Sequence, residues 1–446
     1  VAQPPYPSIN DAERDLKRLV RTALEAADAG AAVRANWPDE LRDQAPGSVK
    51  LVAIGKASLE MAAAAAALLG PGLASGVLTT VPERFAAASI DPRLIAYPAD
   101  HPLPTERNLS AARAVRAFVE GCTPAETLLV LISGGGSAHL TLPAEGLSLD
   151  DLRAINGALQ RAGADIRGLN TVRKHTEGLK GGRLATLCRA GKIEALILSD
   201  VIGDDLPSIA SGPTAWDPTT FAEAAEVLSR HGCEGVAPAV TRFIEEGAAG
   251  LRPETPKQEE PRFRTVCHRI VASNRDVVRA VRDEARRLGY REGHAPGIVG
   301  DALEGARSWA TRLRHDAERA WRGDSDPPQA LVSGGEPTVR VARAGGRGGP
   351  SQTVALAAWC GLADLPNVAI MACSTDGIDG NSDAAGAILA PGALGRMRSA
   401  GVDPRECLRR HDATACLDAI GAAVRTGPTG TNLNHVFVAL VYPGPR

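Results

Sequence analysis

Short runs of Val, Leu and Ile, most of them followed closely by glycine, serine or aspartate, recur along this chain and constrain its fold more than any other feature. Leu51–Ile54, Leu128–Ile132, Ala195–Leu198, Ile270–Ala272, Ala330–Val332, Val368–Ala372 and Val436–Val441 are mostly unbroken by polar residues. That is how strands covered on both faces of a parallel sheet read. Amphipathic stretches lie between them, among them Ala111–Val119, Asp150–Ala162, Asp276–Leu288 and Leu303–Trp321. Strand–helix alternation of this kind predicts a wound α/β architecture. At 446 residues the chain exceeds one ordinary core, so two domains are expected. The stretch GAAGLRPETPKQEEPRFR, residues 247–264, carries three prolines, much charge and few large apolar residues. It predicts an N-terminal α/β domain over 1–250, a linker over 251–265 and a second α/β domain over 266–446.

The formal net charge of −2 excludes the broad basic surface that nucleic-acid or membrane binding needs. No apolar run reaches the roughly 18 residues of a membrane span. The stretch Val1–Lys17 is polar and proline-bearing, unlike a secretion leader. The eight cysteines are scattered without a Cys-x-x-Cys pair, which fits a reducing cytoplasm and offers no zinc spacing. A cytoplasmic enzyme acting on small molecules is expected, and a homodimer is compatible with that reading.

In a wound sheet, ligands sit at the carboxyl ends of the strands. The residues there are accordingly rich in anion-binding types. Ser133-Gly134-Gly135-Gly136-Ser137 follows the second apolar run, and three glycines let backbone N–H groups converge on one anion. Lys56, after Gly55, places a cation just past the first run and could neutralise transferring phosphate. Arg173, Lys174 and His175 precede Lys180-Gly181-Gly182-Arg183, which reads as a second anion site. Asp200, Asp204 and Asp205 follow the third run and suit Mg²⁺, which takes few protein oxygens; Asp204 or Asp205 could instead cap a helix. Ser333-Gly334-Gly335-Glu336 echoes the first glycine loop. Arg347, between paired glycines, is a natural phosphate clamp, and Asp376 with Asp379 sits at another strand end. Asn432 and Asn434 belong to a glycine- and hydroxyl-rich turn before the last strand. No Gly-x4-Gly-Lys-Ser/Thr loop and no Gly-x-Gly-x-x-Gly after a strand occurs, which removes a Walker-type site and leaves a standard dinucleotide site without support.

Taken in order, Gly55–Ala57, His101-Pro102, Ser133–Ala138, Leu169–His175 with Lys180–Ala185, Ser199–Thr214, Ser333–Glu336, Gly346–Gln352, Ser374–Ala387 and Thr429–Asn434 resemble the glycerate 2-kinases of the MOFRL family, whose members are also called hydroxypyruvate reductases. The resemblance implies a Rossmann-like N-terminal domain with a parallel-rich sheet, a smaller C-terminal domain and a cleft between them. It implies ATP and Mg²⁺ as cofactors and 2-phosphoglycerate as product. Lys56, Arg347 and Asp200 would be catalytic. Ser133–Ser137, Lys180, Gly181, Gly335 and Glu336 would hold the nucleotide. Arg173, Asn432, Asn434 and His139 would meet the acid, and Asp204, Asp205 and Asp376 the metal. The chain departs from the family pattern at His139, at Thr176-Glu177-Gly178, at Pro350 where a second arginine is usual, and at His435. Those departures keep open a kinase of another hydroxy or sugar acid, of erythronate or threonate type, and a non-catalytic ligand-binding relative. An NAD(P)H-dependent hydroxypyruvate reductase is the further alternative.

Overall fold

The structure is a computed structural model and describes residues 6–85, 90–324, 327–340 and 345–444. The chain divides into two compact units, one of Ala29–Val271 and one of Val1–Asp28 with Ala272–Arg446. The division departs from the expected boundaries at both ends. The first helix belongs with the C-terminal half, and 251–271 belongs with the N-terminal unit.

In the unit Ala29–Val271 the strands are β1 (Val49–Ile54), β2 (Leu73–Thr80), β3 (Leu94–Pro98), β4 (Thr127–Ile132), β5 (Lys192–Ser199) and β6 (Val266–Ser273, whose last two residues fall past the division). Their order is β3-β2-β1-β4-β5-β6, the doubly wound order. β1 pairs in parallel with β2 and β4, β2 with β3, and β4 with β5. One face packs Val52, Ile54, Val130, Ile132 and Ile197 with Val115 and Val119 of the helix Glu106–Glu120. Each such side chain, fully buried, contributes about 1.5–3 kcal/mol. Thr105 starts that helix by accepting from the Arg107 amide at 3.2 Å. β2 escaped the sequence reading because Ser75-Gly76 and Thr79-Thr80 break its apolar run. Gly76 is needed there, since a Cβ would lie 2.8 Å from the Leu51 carbonyl oxygen.

The other unit holds β7 (Arg291–Gly293), β8 (Ile298–Asp301), β9 (Gln329–Thr338), β10 (Val368–Ser374), β11 (Gly386–Leu389), β12 (Ala423–Val424) and β13 (His435–Val441). The order is β12-β11-β10-β13-β9-β7, with β8 also on β9. Here the parallel expectation gives way to a mixed sheet. β10 is antiparallel to β11 and β13, and β13 to β9, while only β7 and β8 run parallel to β9. β10 and β13 are buried almost throughout, so their continuous apolar runs report burial on both faces, not strand direction. Trp309, Trp359 and Phe437 lead the core, with the Trp309 and Phe437 rings 6.1 Å apart edge-on. The N-terminal helix Ala12–Ala26 joins this unit through buried Leu16, Leu19 and Val20. Tyr290 donates to Asp15 at 2.8 Å and shares a second 2.8 Å bond with the Tyr442 hydroxyl.

Candidate functional site

In the doubly wound unit, the switch point lies between β1 and β4, where the chain leaves toward opposite sides of the sheet. Lys56 follows β1 and the glycine loop follows β4, so the fold itself brings these two sequence motifs together. The Lys56 amide donates to the Gly134 carbonyl at 2.8 Å, and the Ser133 amide donates to Ile54 at 3.0 Å. Ser133 Oγ donates to the Ile54 carbonyl at 3.0 Å and accepts from the Ala57 amide at 3.1 Å. Ser133 was expected to touch the nucleotide. Its buried hydroxyl is instead occupied in stapling the two loops.

The staple leaves a nest. Gly135 has φ +85°, which glycine adopts without cost. The amides of Gly134 and Gly135 are bonded to no other described residue. A buried amide left unpaired is uncommon and marks a place for a ligand acceptor. A Cβ on Gly134 would lie 2.5 Å from Asp200 Oδ2, and one on Gly135 would lie 3.1 Å from the His101 ring and 3.3 Å from Lys56 Cγ. Lys56, His101 and Asp200 therefore stand close against the two glycines. Burial raises the Asp200 pKa above its ordinary value, with the Lys56 charge pulling the other way.

Ser137 closes the loop. Its hydroxyl meets Ser211 Oγ at 2.8 Å, and Ser211 donates to Asn170 Oδ1 at 3.0 Å. Ala210 and Ser211 have φ of +50° and +60°, a conformation costing roughly 1–2 kcal/mol per non-glycine residue. Ala210 is held against Gly136, where a Cβ would come within 2.7 Å of its own. Strained residues concentrate at functional sites. Ser211, Asn170 and His101 were not assigned roles from the sequence. Their signal was their place in the family motifs His101-Pro102, Leu169–His175 and Ser199–Thr214.

Several expected residues do something else. Lys180 is 1% exposed and donates to Glu177 at 2.6 Å. Burial lowers its pKa to about 8 and raises that of Glu177. Gly181 is a packed turn, its amide on the Ser211 carbonyl and its Cα against Lys174 and Asp217. This segment is therefore not an open anion site. His139 is fully buried, with Nδ1 3.0 Å from Thr79 Oγ1 and its pKa lowered to about 3 by burial, so it does not reach a substrate as placed. Arg173 is half-buried and donates to Asn156 at 3.0 Å. Asp205 accepts from Ser208 Oγ at 2.5 Å, the turn-capping alternative. Asp204 sits at φ +58°. Among the described residues no three His, Cys, Asp or Glu side chains converge as a metal group. Mg²⁺ carried on a nucleotide needs only one or two carboxylates. A phosphate on Gly134 and Gly135 would face the Asp200 carboxylate, and two anions so placed call for a cation between them. The donor set fits in that limited sense.

In the mixed-sheet unit, β9 continues through Gly335 and Glu336, so this second glycine segment is a strand and not a loop. Gly335 pairs with His435 on one side and Ile298 on the other. Glu336 is exposed at the same ladder. Arg347 is 56% exposed and forms an ion pair with Asp383 at 2.5 Å, and Asp383 also accepts from Arg425 at 3.0 Å. Pro350, where the family has its second arginine, stands at the first position of the helix Pro350–Cys360, a favourable place for proline. The start of that helix is already filled. Asp379 is fully buried and accepts from the Ser351 and Gln352 amides at 2.9 and 2.8 Å. Burial nevertheless raises its pKa to about 7. Ser351 Oγ lies 2.7 Å from His435 Nδ1, and burial lowers the His435 pKa to about 4. Asp376 takes bonds from Ser374 Oγ at 2.6 Å and the Ile378 amide at 3.1 Å. Asn434 is buried at φ +62°, and its amide donates to Asn432 Oδ1 at 3.1 Å. Asn432 thereby orders its own turn.

Residues 15–245 match the domain of unknown function DUF4147, and residues 329–435 match the MOFRL family. A glycerate 2-kinase of Pyrococcus horikoshii is 38% identical, covering 89% of this chain and 88% of that one. A protein of Agrobacterium vitis provisionally named a hydroxypyruvate reductase is 39% identical, covering 96% of this chain and 94% of its own. The crystal structure of a glycerate kinase from Thermotoga maritima superimposes with a TM-score of 0.84 at 33% identity, covering 97% of this chain and all of that one. With its switch-point glycine nest followed by a MOFRL domain, the chain belongs to the glycerate kinase family.

Proposed function

We propose that the protein transfers the γ-phosphoryl group of ATP to the 2-hydroxyl of D-glycerate, giving ADP and 2-phosphoglycerate. The observation that carries this is the pair of unbonded amides at Gly134 and Gly135, set at the switch point beside Lys56 and Asp200. The glycerate kinases among its relatives supply the substrate class. In the transfer an oxygen–phosphorus bond forms at the substrate hydroxyl and the β–γ bridging bond breaks. Such chemistry is chiefly positioning and charge stabilisation. Gly134 and Gly135 hold phosphate oxygens, with Ser137 oriented by Ser211. Lys56 neutralises charge on the moving group. Asp200, whose pKa is raised by burial, takes the hydroxyl proton. Mg²⁺ would supply charge neutralisation on the phosphates, with Asp204 as a protein oxygen. Arg347 holds anion charge on its own unit. All eight cysteines are free, as in a reducing cytoplasm. Among the described residues no helix is long and apolar enough to cross a membrane.

Protein incubated with ATP, MgCl₂ and D-glycerate should release ADP and 2-phosphoglycerate, resolved by ³¹P NMR. A 3-phosphoglycerate product would overturn the position, and absence of ADP would overturn the substrate. Erythronate and threonate in the same assay test for a larger acid. NADH oxidation with hydroxypyruvate should be absent, because the turn after β1 reads Gly55-Lys56-Ala57 and lacks a dinucleotide fingerprint. Lys56→Ala should lower kcat by about 10²–10³-fold, the effect of removing one preorganised charge-stabilising group.

A further inference from the structure

The mixed-sheet unit contains a cavity of about 690 Å³ that none of the proposed chemistry uses. It lies where the helix Ala12–Ala26 meets β11 and the edge strand β12. Glu13, Lys17 and Arg21 recur every four residues on that helix and so share the face that lines it. Arg396 of the helix Ala393–Ser399 and Arg425, just past β12, also line the cavity, making four cations against one acid. Glu13 lies 3.8 Å from Arg396. Lys17 and Arg21 have no ion-pair partner among the described residues. Val20, Leu24 and Ile388 add apolar lining. A volume in the small-ligand range, an apolar wall and two uncommitted cations describe a site for an organic anion.

Its wall leads to a residue of the proposed machinery. Arg425 donates through Nε to Asp383 at 3.0 Å and pairs with Asp418 at 2.8 Å. Asp383 is the carboxylate that holds Arg347. Exposed ion pairs of this kind are weak, so a bound dianion can draw Arg425 away from Asp383. Asp383 is then left to Arg347 alone and holds it more firmly.

We propose that this cavity binds a small organic phosphomonoester, its dianionic head on Lys17, Arg21 and Arg425 and its apolar body against Val20 and Ile388, and that occupation restrains Arg347 through Arg425 and Asp383. The binding stands on the cavity alone; the restraint rests on the kinase reading. Phenyl phosphate is the probe, with inorganic phosphate and benzyl alcohol as controls, titrated by calorimetry into the full chain and into Lys17→Ala/Arg21→Ala. Phenyl phosphate should bind the native chain at least tenfold more tightly than either control, and the double variant should lose at least tenfold. Equal affinity in the two proteins, or inorganic phosphate binding as well as phenyl phosphate, overturns the site. In the kinase assay, saturating phenyl phosphate should lower kcat two- to fivefold without raising KM for ATP, and the double variant should keep its basal rate and escape the effect. Inhibition that persists in the double variant, or that ATP relieves, overturns the restraint. A chain that releases no ADP even without the probe fails the kinase reading and leaves calorimetry to decide the site.

Discussion

Ser133-Gly134-Gly135 and Ser333-Gly334-Gly335 are the same tripeptide after the same kind of apolar run, and they fold into opposite things. The first leaves its sheet, turns through φ +85° at Gly135 and ends with two unbonded amides. The second stays in β9, paired on both sides. Both need glycine because something approaches closely. At Gly134 the neighbour is the Asp200 carboxylate, a side chain; at Gly335 it is the Ile298 backbone. Glycine in a sequence therefore reports proximity, and whether the approaching group is a chain or a ligand depends on where the backbone hydrogen bonds go.

The sharpest way to break the comparison is to fill the two positions. Gly335→Val places carbon on the Ile298 carbonyl and should cost at least about 3 kcal/mol of stability, read as insoluble protein or a large fall in the urea midpoint. Normal stability would show that β8 is free to move aside.

A third glycine segment, Lys180-Gly181-Gly182, sharpens the contrast, because its lysine faces inward to Glu177. Lys180→Met should cost about 3–5 kcal/mol by stranding a buried carboxylate, whereas Lys180→Met/Glu177→Leu should recover most of it. KM for ATP should be unchanged in the folded double variant. A raised KM would return Lys180 to the nucleotide.

Gly134→Ala should do the reverse of Gly335→Val. Its methyl meets a side-chain carboxylate that can rotate, so stability should fall by only about 1 kcal/mol. Displacing Asp200 should cost at least about tenfold in kcat/KM, or roughly 1.4 kcal/mol of transition-state stabilisation. Unchanged kinetics would remove Asp200 and the nest from the mechanism.

The smallest effect belongs to pH. Burial raises the Glu254 pKa, but bonds from His175 and the Phe221 and Thr255 amides outweigh it and hold the group at about 2. A depressed carboxylate stabilises above its ordinary value of 4.5 and loses that contribution as pH falls from there toward 2. Glu254 is about one-third exposed, so screening limits the loss to roughly 1 kcal/mol. Urea titrations of Glu254→Gln should be flatter than those of the native chain across that window, and parallel curves would refute the assignment.

How far the sequence could be read follows from the same distinction. β1, β4 and β5 were legible because parallel strands buried on both faces have unbroken apolar runs, and the switch-point loops came with them. Strand direction in the second sheet was not legible, because β10 and β13 are equally apolar while running antiparallel. Lys180 and His139 were misread because charge and ring nitrogens look alike in sequence whether they face Glu177, Thr79 or a ligand. Ser211 and Asn170 went unassigned because the contacts that give them meaning span 41 and 74 positions. Asp379 looked like one more acidic residue at a strand end; only folding shows it occupying the helix start that the glycine-rich Arg347 segment precedes.

The nesting of Ala29–Val271 inside the other unit sets an order of events during synthesis. The helix Ala12–Ala26 is made before the doubly wound unit, whereas the helix Asn274–Arg287, Tyr290 and Tyr442 that hold it are all made after that unit. At about 5–20 residues per second, the helix waits on the order of ten seconds to a minute with Leu16, Leu19 and Val20 unburied. The doubly wound unit can complete its sheet in that interval.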